Sequence, residues 1–128
     1  KDIKAGLKTI LEGIEKVKGG SSIWIFPEGT RCKAKDPAEL LPFKEGSLKI
    51  AEKSGCPVVP VAITGTAEIL EKHFPFIRAS HVTIEFGKPF YINELPAEDR
   101  KRAGAYSEAR IREMLVKEQE ERRSLRKA

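Results

Sequence analysis

The sequence predicts an α/β domain with a largely parallel sheet of about three to four strands, flanked by helices. Stretches with helical apolar spacing alternate along the chain with short apolar runs of strand length. The segments between those runs are long enough for helical crossovers, which parallel neighbours require. With 128 residues and 40% hydrophobic content, the chain is expected to form a single domain.

The first helix is predicted over residues 3–17, where apolar residues at helical spacing alternate with lysines and glutamates. Asp2 can cap its start, and two consecutive glycines end it. Residues 23–26 then form a continuous apolar run, which is typical of a strand covered on both faces. Pro27 ends that strand.

The middle of the chain predicts a loop, a helix and a second strand. Residues 29–42 lack a sustained period and indicate a loop, which three apolar side chains fix to the core: Leu40, Leu41 and Phe43. Residues 44–54 predict a helix stopped by Gly55 and Pro57, and residues 58–63 predict a buried strand.

The last third predicts an edge strand and a final helical region. Residues 82–86 alternate apolar and polar side chains, which indicates a half-buried strand near the edge of the sheet. Pro96 opens the helical region, with a break at Gly104. Leu125 is the one large apolar residue beyond position 116, so residues 118–128 are expected to form a solvated tail.

The charge balance favours anionic partners. The chain carries 24 basic and 19 acidic residues, a net charge of +5 and a pI near 9.3. Its charged C-terminal run mixes both signs without interleaved aromatics, which favours a solvated helix face over a nucleic-acid surface. No apolar run approaches the roughly 20 residues needed to span a bilayer.

Cysteines, histidines and glycine motifs exclude several kinds of chemistry. Cys32 and Cys56 lack CxxC spacing, which predicts free thiols in a reducing compartment and no metal site. His73 and His81 have no serine or cysteine partner at a recognised spacing and are interpreted as surface or packing residues. The nucleotide motifs GxxxxGK[ST] and GxGxxG are absent.

The stretch Pro-Glu-Gly-Thr-Arg follows the first predicted strand, at the sheet edge where α/β proteins bind ligands. Gly29 lets the backbone approach a ligand, Thr30 adds a hydroxyl, and Arg31 offers a planar fork that matches a phosphate. Glu28 would orient Arg31 or accept a hydrogen bond from a substrate hydroxyl. The plain alternative is a turn in which Glu28 and Arg31 form a surface ion pair worth about 0 to 1 kcal/mol.

The sequence FPEGTR, followed by LLPFKEGSLKIAEKSGCPVVPVAITGT, resembles the later half of the lysophosphatidic acid acyltransferases, or 1-acylglycerol-3-phosphate acyltransferases, of the glycerolipid acyltransferase family. Residues 26–31 match one family block completely, and Val59-Pro60-Val61 matches a second. The likeness covers residues 1–94 and implies a partial glycerolipid acyltransferase fold. Cys32 departs from the commoner serine.

The resemblance implies acyl transfer from acyl-CoA or acyl-carrier protein to the free hydroxyl of a phosphate-bearing lysolipid. Arg31 would bind the phosphate, Lys44 would add a second positive charge, and Pro60 would shape the strand end that lines the pocket. The implied substrate-binding set is Glu28, Gly29, Thr30, Arg31, Lys44 and Pro60.

The family's catalytic block, His-x-x-x-x-Asp, is missing. Five positions after His73 is Arg78, and five after His81 is Phe86. In the family this block precedes the helix predicted at residues 3–17. The resemblance therefore implies that the chain is the C-terminal portion of an acyltransferase domain, without a catalytic residue of its own and inactive alone.

The implied partners are lysophosphatidic acid, the acyl donor and a membrane surface, with no cofactor beyond that donor. The parent enzyme is expected at the cytoplasmic face of the cell membrane, the chain itself to be soluble, and exposed apolar surface to promote oligomers. Two alternatives stay open. One is a noncatalytic phospholipid- or phosphate-binding module on the same scaffold, and the other is nucleic-acid binding through the C-terminal helix.

Overall fold

The computed structural model describes residues 3–36, 38–69, 72 and 74–127. The predicted cap at Asp2 and the residue His73 lie outside the described residues. The helices and strands follow in the order α1 (Ile3–Lys18), α2 (Lys49–Ser54), β1 (Val61–Thr64), β2 (Thr83–Phe86), α3 (Ala97–Lys101) and α4 (Ala103–Lys127). Short 3₁₀ helices lie at Glu45–Leu48, Thr66–Glu68 and Ile92–Glu94.

The α/β class is confirmed, but the sheet differs from the prediction. Within the described residues it has two strands, which pair antiparallel from Val61 opposite Phe86 to Thr64 opposite Thr83. The prediction of a largely parallel sheet of three to four strands is therefore wrong for this part of the chain. The described part of the connection holds one 3₁₀ turn and no crossover helix, so β2 returns alongside β1.

Residues 23–26 have no regular secondary structure and lie outside the ladder among the described residues. Their side chains are 39% to 72% exposed, which corrects the prediction of a strand covered on both faces. Covering both faces needs a layer on each side. Trp24 instead makes an edge contact with Phe86 of β2, at 6.4 Å between ring centroids.

The two faces of the sheet differ in what covers them. Ala62 and Thr64 are buried, and Ala62 packs with Leu115 of α4 and with Ala38. Leu40 also joins this cluster, and Phe43 is buried, as predicted for the loop that precedes α2. The opposite face carries Ile84 and Phe86, which are 52% and 64% exposed.

A second core cluster joins α2 to the start of α4. Its buried members are Ala51, Ile92 and Ala103. Gly55 ends α2 with a φ of +73°, as predicted. Val58 extends the pairing beside the ladder through an isolated bridge to Phe90.

The last helical region breaks at Arg102 between α3 and α4, so the predicted break at Gly104 is misplaced by two residues. Residues 118–127, predicted as a solvated tail, continue α4. Within that segment Gln119 donates to Asp36 at 2.9 Å, and the side chain of Arg122 donates to Thr83 at 2.9 Å.

Both cysteines are free thiols, as predicted. Across the described ranges, the helices fall short of the combined length and apolarity that a bilayer span requires.

Candidate functional site

The motif loop, residues 27–31, begins with a tight turn. The backbone N–H of Gly29 donates to the carbonyl of Phe26 at 3.1 Å. Gly29 has a φ of +70°, which is strained for residues with a Cβ. The glycine of the motif is therefore required by the backbone, before any ligand is considered.

Lys44 is brought onto this turn from the far end of the following loop. Its backbone N–H donates to the carbonyl of Pro27 at 3.0 Å. Its ammonium lies against Gly29, since a Cβ built on Gly29 would stand 2.5 Å from Nζ and 3.0 Å from Cε of Lys44. The absent side chain at position 29 is thus what makes room for the second cation.

Glu28 has a structural partner that the sequence did not reveal. Its Oε2 accepts the backbone N–H of Leu41 at 2.9 Å, and the side chain is half-buried. This bond joins the motif loop to the segment that leads to Lys44. Glu28 therefore ties the motif loop to that segment, a contact that none of the sequence interpretations included.

Thr30 and Arg31 complete the site at its solvent-facing side, where both residues are exposed. Arg31 stands two positions after the glycine that contacts the Lys44 ammonium. A guanidinium fork and an ammonium on one exposed turn suit an anion with several oxygens, because the fork binds two of them and the ammonium adds a point charge.

The sequence pattern did not indicate a role for Glu45, next to Lys44. Its carboxylate accepts the backbone N–H groups of Gly104 at 2.8 Å and Ala105 at 3.4 Å. It thereby caps the N-terminus of α4, where a negative charge is favourable. The partners lie 59 and 60 positions away, so no local signal in the sequence indicates this contact.

Pro60 and His81 are not part of the motif loop. Pro60 is buried directly before β1, and its carbonyl accepts the N–H of Gly87 at 2.7 Å. Met114 of α4 packs at the same place, beside Gly87. His81 is exposed, and its carbonyl accepts a bond from Arg122 at 3.2 Å. The described contacts therefore bring Lys44 onto Gly29, which lies between Glu28 and Thr30 in the chain, and they place Pro60 against Gly87.

Gly29, Thr30 and Arg31 are exposed, and together with the Lys44 ammonium they form a surface that we call the ledge. A depression of about 280 Å³ lies between α2 and α3, and its lining includes Glu45, Lys49 and Arg100. Glu45 directly follows Lys44 in the sequence, but the depression is not formed by the motif loop. A ledge that carries two cations and a hydroxyl can bind the polar end of a ligand while the remainder extends beyond it.

The fold and the motif loop thus define an α/β protein with a cationic turn suited to phosphate. A family model described as Acyltransferase matches residues 1–64, half of the chain. The chain belongs to this acyltransferase family.

Several relatives within this family carry the name that the motif resemblance implied. The chain is 27% identical over 111 residues to the 1-acyl-sn-glycerol-3-phosphate acyltransferase of Saccharomyces cerevisiae, covering 86% of this chain and 35% of that protein. It is 49% identical over 57 residues to the chloroplastic enzyme BAT2 of Brassica napus, covering 44% of this chain and 16% of that protein.

A solved structure supports the fold. The crystal structure of the 1-acyl-sn-glycerophosphate acyltransferase PlsC from Thermotoga maritima matches with a TM-score of 0.71 and 32% identity, over 86% of this chain and 44% of that chain. The partial glycerolipid acyltransferase fold is therefore confirmed. The chain spans less than half the length of each of these relatives.

Proposed function

We propose that this chain supplies the acceptor-phosphate-binding half of an enzyme that acylates the free hydroxyl of 1-acylglycerol-3-phosphate at a membrane surface. The acyl donor is acyl-CoA or acyl-carrier protein. The relatives named above support this proposal, because each is named for the same glycerol-phosphate acceptor. The lipid surface follows from the acceptor, which is itself a lipid.

The observation that carries the proposal is the position of the Lys44 ammonium against Gly29, two residues before Arg31. A phosphate monoester with two negative charges would bind the Arg31 fork on one side and the Lys44 ammonium on the other. Thr30 would donate its hydroxyl to the phosphate or the glycerol. Glu28 would remain bound to Leu41 and keep the ledge in shape.

The chemical step needs a base that this sequence does not contain in the family's form. The acceptor hydroxyl attacks the thioester carbonyl carbon while its proton passes to the base, the new ester C–O bond forms, and the C–S bond breaks to release the donor as a thiolate, which takes the proton back from the base. General-base assistance contributes typically about 10²- to 10⁴-fold. Since His-x-x-x-x-Asp is absent, we expect no acyl transfer by the 128 residues alone.

The test is transfer of a labelled acyl chain from acyl-CoA to lysophosphatidic acid. The 128-residue chain is assayed beside a longer protein from the same reading frame that includes a His-x-x-x-x-Asp block. In the longer protein Arg31→Ala should lower kcat/KM about tenfold to a hundredfold, since a charge-assisted hydrogen bond worth about 1.5 to 3 kcal/mol is lost. Arg31→Lys should recover little, because an ammonium lacks the fork.

Arg126→Ala is the matched control, since Arg126 is an exposed arginine in the last turn of α4. Equal kinetics for Arg31→Ala and Arg126→Ala would remove the phosphate assignment. The missing block also keeps a second function open, that of a noncatalytic phosphate-binding module. A reading frame without His-x-x-x-x-Asp, together with phosphate binding that depends on Arg31, would establish that alternative.

A further inference from the structure

Residues 74–77, Phe-Pro-Phe-Ile, form an exposed stretch between β1 and β2 that we call the apolar loop. Phe74, Phe76 and Ile77 are 77%, 75% and 81% exposed. Single exposed apolar side chains are ordinary, whereas consecutive ones indicate an interaction surface. The phosphate-binding ledge uses none of these residues.

The chain that returns from the apolar loop is held at its base. The N–H of Arg78 donates to the carbonyl of Ile69 at 2.7 Å, and the hydroxyl of Ser80 donates to the carbonyl of Gly65 at 2.9 Å. Arg122 of α4 binds the carbonyl of His81 just beyond. Compact loops with tied ends are frequently functional. The apolar side chains therefore project from an anchored base.

Basic side chains stand on both sides of the apolar loop. Lys72 precedes it and pairs with Glu68, and Arg78 follows it; both basic residues are exposed. The chain as a whole carries a net charge of +5. Aromatic and aliphatic side chains between exposed cations match an anionic membrane interface, where rings lie at headgroup level and cations meet lipid phosphates.

We propose that the apolar loop inserts Phe74, Phe76 and Ile77 into the interfacial region of an anionic lipid bilayer, with Lys72 and Arg78 at the headgroups. A protein partner that covered the rings would also have to desolvate the adjacent cations, which is costly. A bilayer interface lets the cations stay hydrated while the rings are buried. This surface would be separate from the phosphate-binding ledge and require no substrate.

The first test is co-sedimentation of the 128-residue chain with sucrose-loaded vesicles. Vesicles of equal parts phosphatidylcholine and phosphatidylglycerol should bind the chain, and phosphatidylcholine alone should bind it more weakly. Phe76→Ser should reduce binding to the mixed vesicles about tenfold, because a large apolar side chain no longer leaves water. Phe86→Ser is the matched control, since Phe86 is 64% exposed on β2 and should change binding less than about twofold.

The second test places a reporter in the loop. Trp24 is the single tryptophan, so Trp24→Phe combined with Phe76→Trp moves all tryptophan emission to position 76. With mixed vesicles this emission should shift to shorter wavelength and be quenched by bromine-labelled acyl chains.

Failure to co-sediment, equal losses for Phe76→Ser and Phe86→Ser, or emission unchanged by vesicles would each overturn the proposal. If the chain does not bind vesicles but self-associates, and Phe76→Ser abolishes that self-association, the apolar loop binds a second copy of the chain instead. The vesicles contain no lysophosphatidic acid and no acyl donor, so these results do not depend on acyl transfer, and both variants leave the phosphate-binding ledge unchanged.

Discussion

The motif loop and the apolar loop are opposites in how they use their side chains. In the motif loop, the polar groups bind the protein itself: Glu28 accepts the N–H of Leu41, and the Lys44 ammonium lies on Gly29. In the apolar loop, the rings of Phe74 and Phe76 face outwards while backbone bonds hold the base. Charged residues thus help to hold the motif loop in place, whereas the apolar side chains contribute little to holding the apolar loop.

Residue polarity alone therefore does not distinguish residues that stabilise the fold from residues that bind a ligand. A charge is useful for ligand binding when neighbouring groups hold it in position before the ligand arrives. The motif loop meets this condition through bonds to a segment more than ten positions away. Substitutions in the two loops should therefore differ in their effects on binding and on stability.

Replacing Gly29 should damage the motif loop most. Gly29→Ala should weaken binding of glycerol 3-phosphate at least about tenfold, because a left-handed alanine costs roughly 1 to 2 kcal/mol and the Lys44 ammonium must move away. Isothermal titration measures the affinity. Gly46→Ala is the control, since a Cβ there meets nothing within 4 Å. Equal affinities in the two variants would show that the turn does not prepare the site.

Removing the bond between Glu28 and Leu41 should have the next largest effect. Glu28→Ala should lower the free energy of unfolding by about 1 to 3 kcal/mol, because a partly buried backbone N–H loses a charged acceptor. Urea denaturation measures it, with Glu39→Ala as the control at an exposed position in the same segment. A change for Glu28→Ala no larger than the control's would contradict the structural role of this carboxylate.

Polar substitution in the apolar loop should leave the fold nearly unaffected. Ile77→Ser should change the free energy of unfolding by less than about 0.5 kcal/mol, because the side chain is 81% exposed. The same denaturation experiment with Phe43→Ser, at a buried position, should show a much larger loss. Comparable losses in the two variants would mean that the apolar loop packs on the protein in solution.

The smallest expected effect is on the pH dependence of the free energy of unfolding, through Glu118 and Arg122 near the base of the apolar loop. The bond from Arg122 lowers the pKa of Glu118, and Thr83 adds to the shift. A carboxylate with a lowered folded pKa stabilises the protein above its unfolded value of 4.5, and this contribution is lost as pH falls through the lowered pKa. The free energy of unfolding of Glu118→Gln should therefore be lower than that of the original chain at pH 7, and the two values should converge in acid. Glu120→Gln, also on α4, is the comparison, and a difference that grows in acid would contradict the assignment.

Local signals in the sequence predicted α1, the end of α2 and β2. Gly55 ends α2 where the pattern placed the stop, because a left-handed end is a property of a few consecutive residues. The motif at positions 27–31 could be recognised for the same reason. Lys44 came from the family resemblance, and the structure places its ammonium beside Gly29.

Long-range pairings could not be predicted. The antiparallel return of β2 depends on how the connection folds back, and the apolar alternation of residues 82–86 fits either strand direction. The contact between Glu45 and Gly104 spans 59 positions. Propensity and periodicity act over a few neighbours, so they carry no information about such partners.

Under the proposed function, Arg31 and Lys44 bind one phosphate at the motif loop. Titration of isotope-labelled chain with glycerol 3-phosphate, followed by NMR, tests it most directly. We expect the Gly29 and Thr30 amides, the Arg31 guanidinium and the Lys44 ammonium to shift together along one binding curve, while the amides of Phe74 and of residues 76–78 stay unchanged. Shifts that spread over the basic residues of α4, or that leave Arg31 and Lys44 unmoved, would contradict the claim.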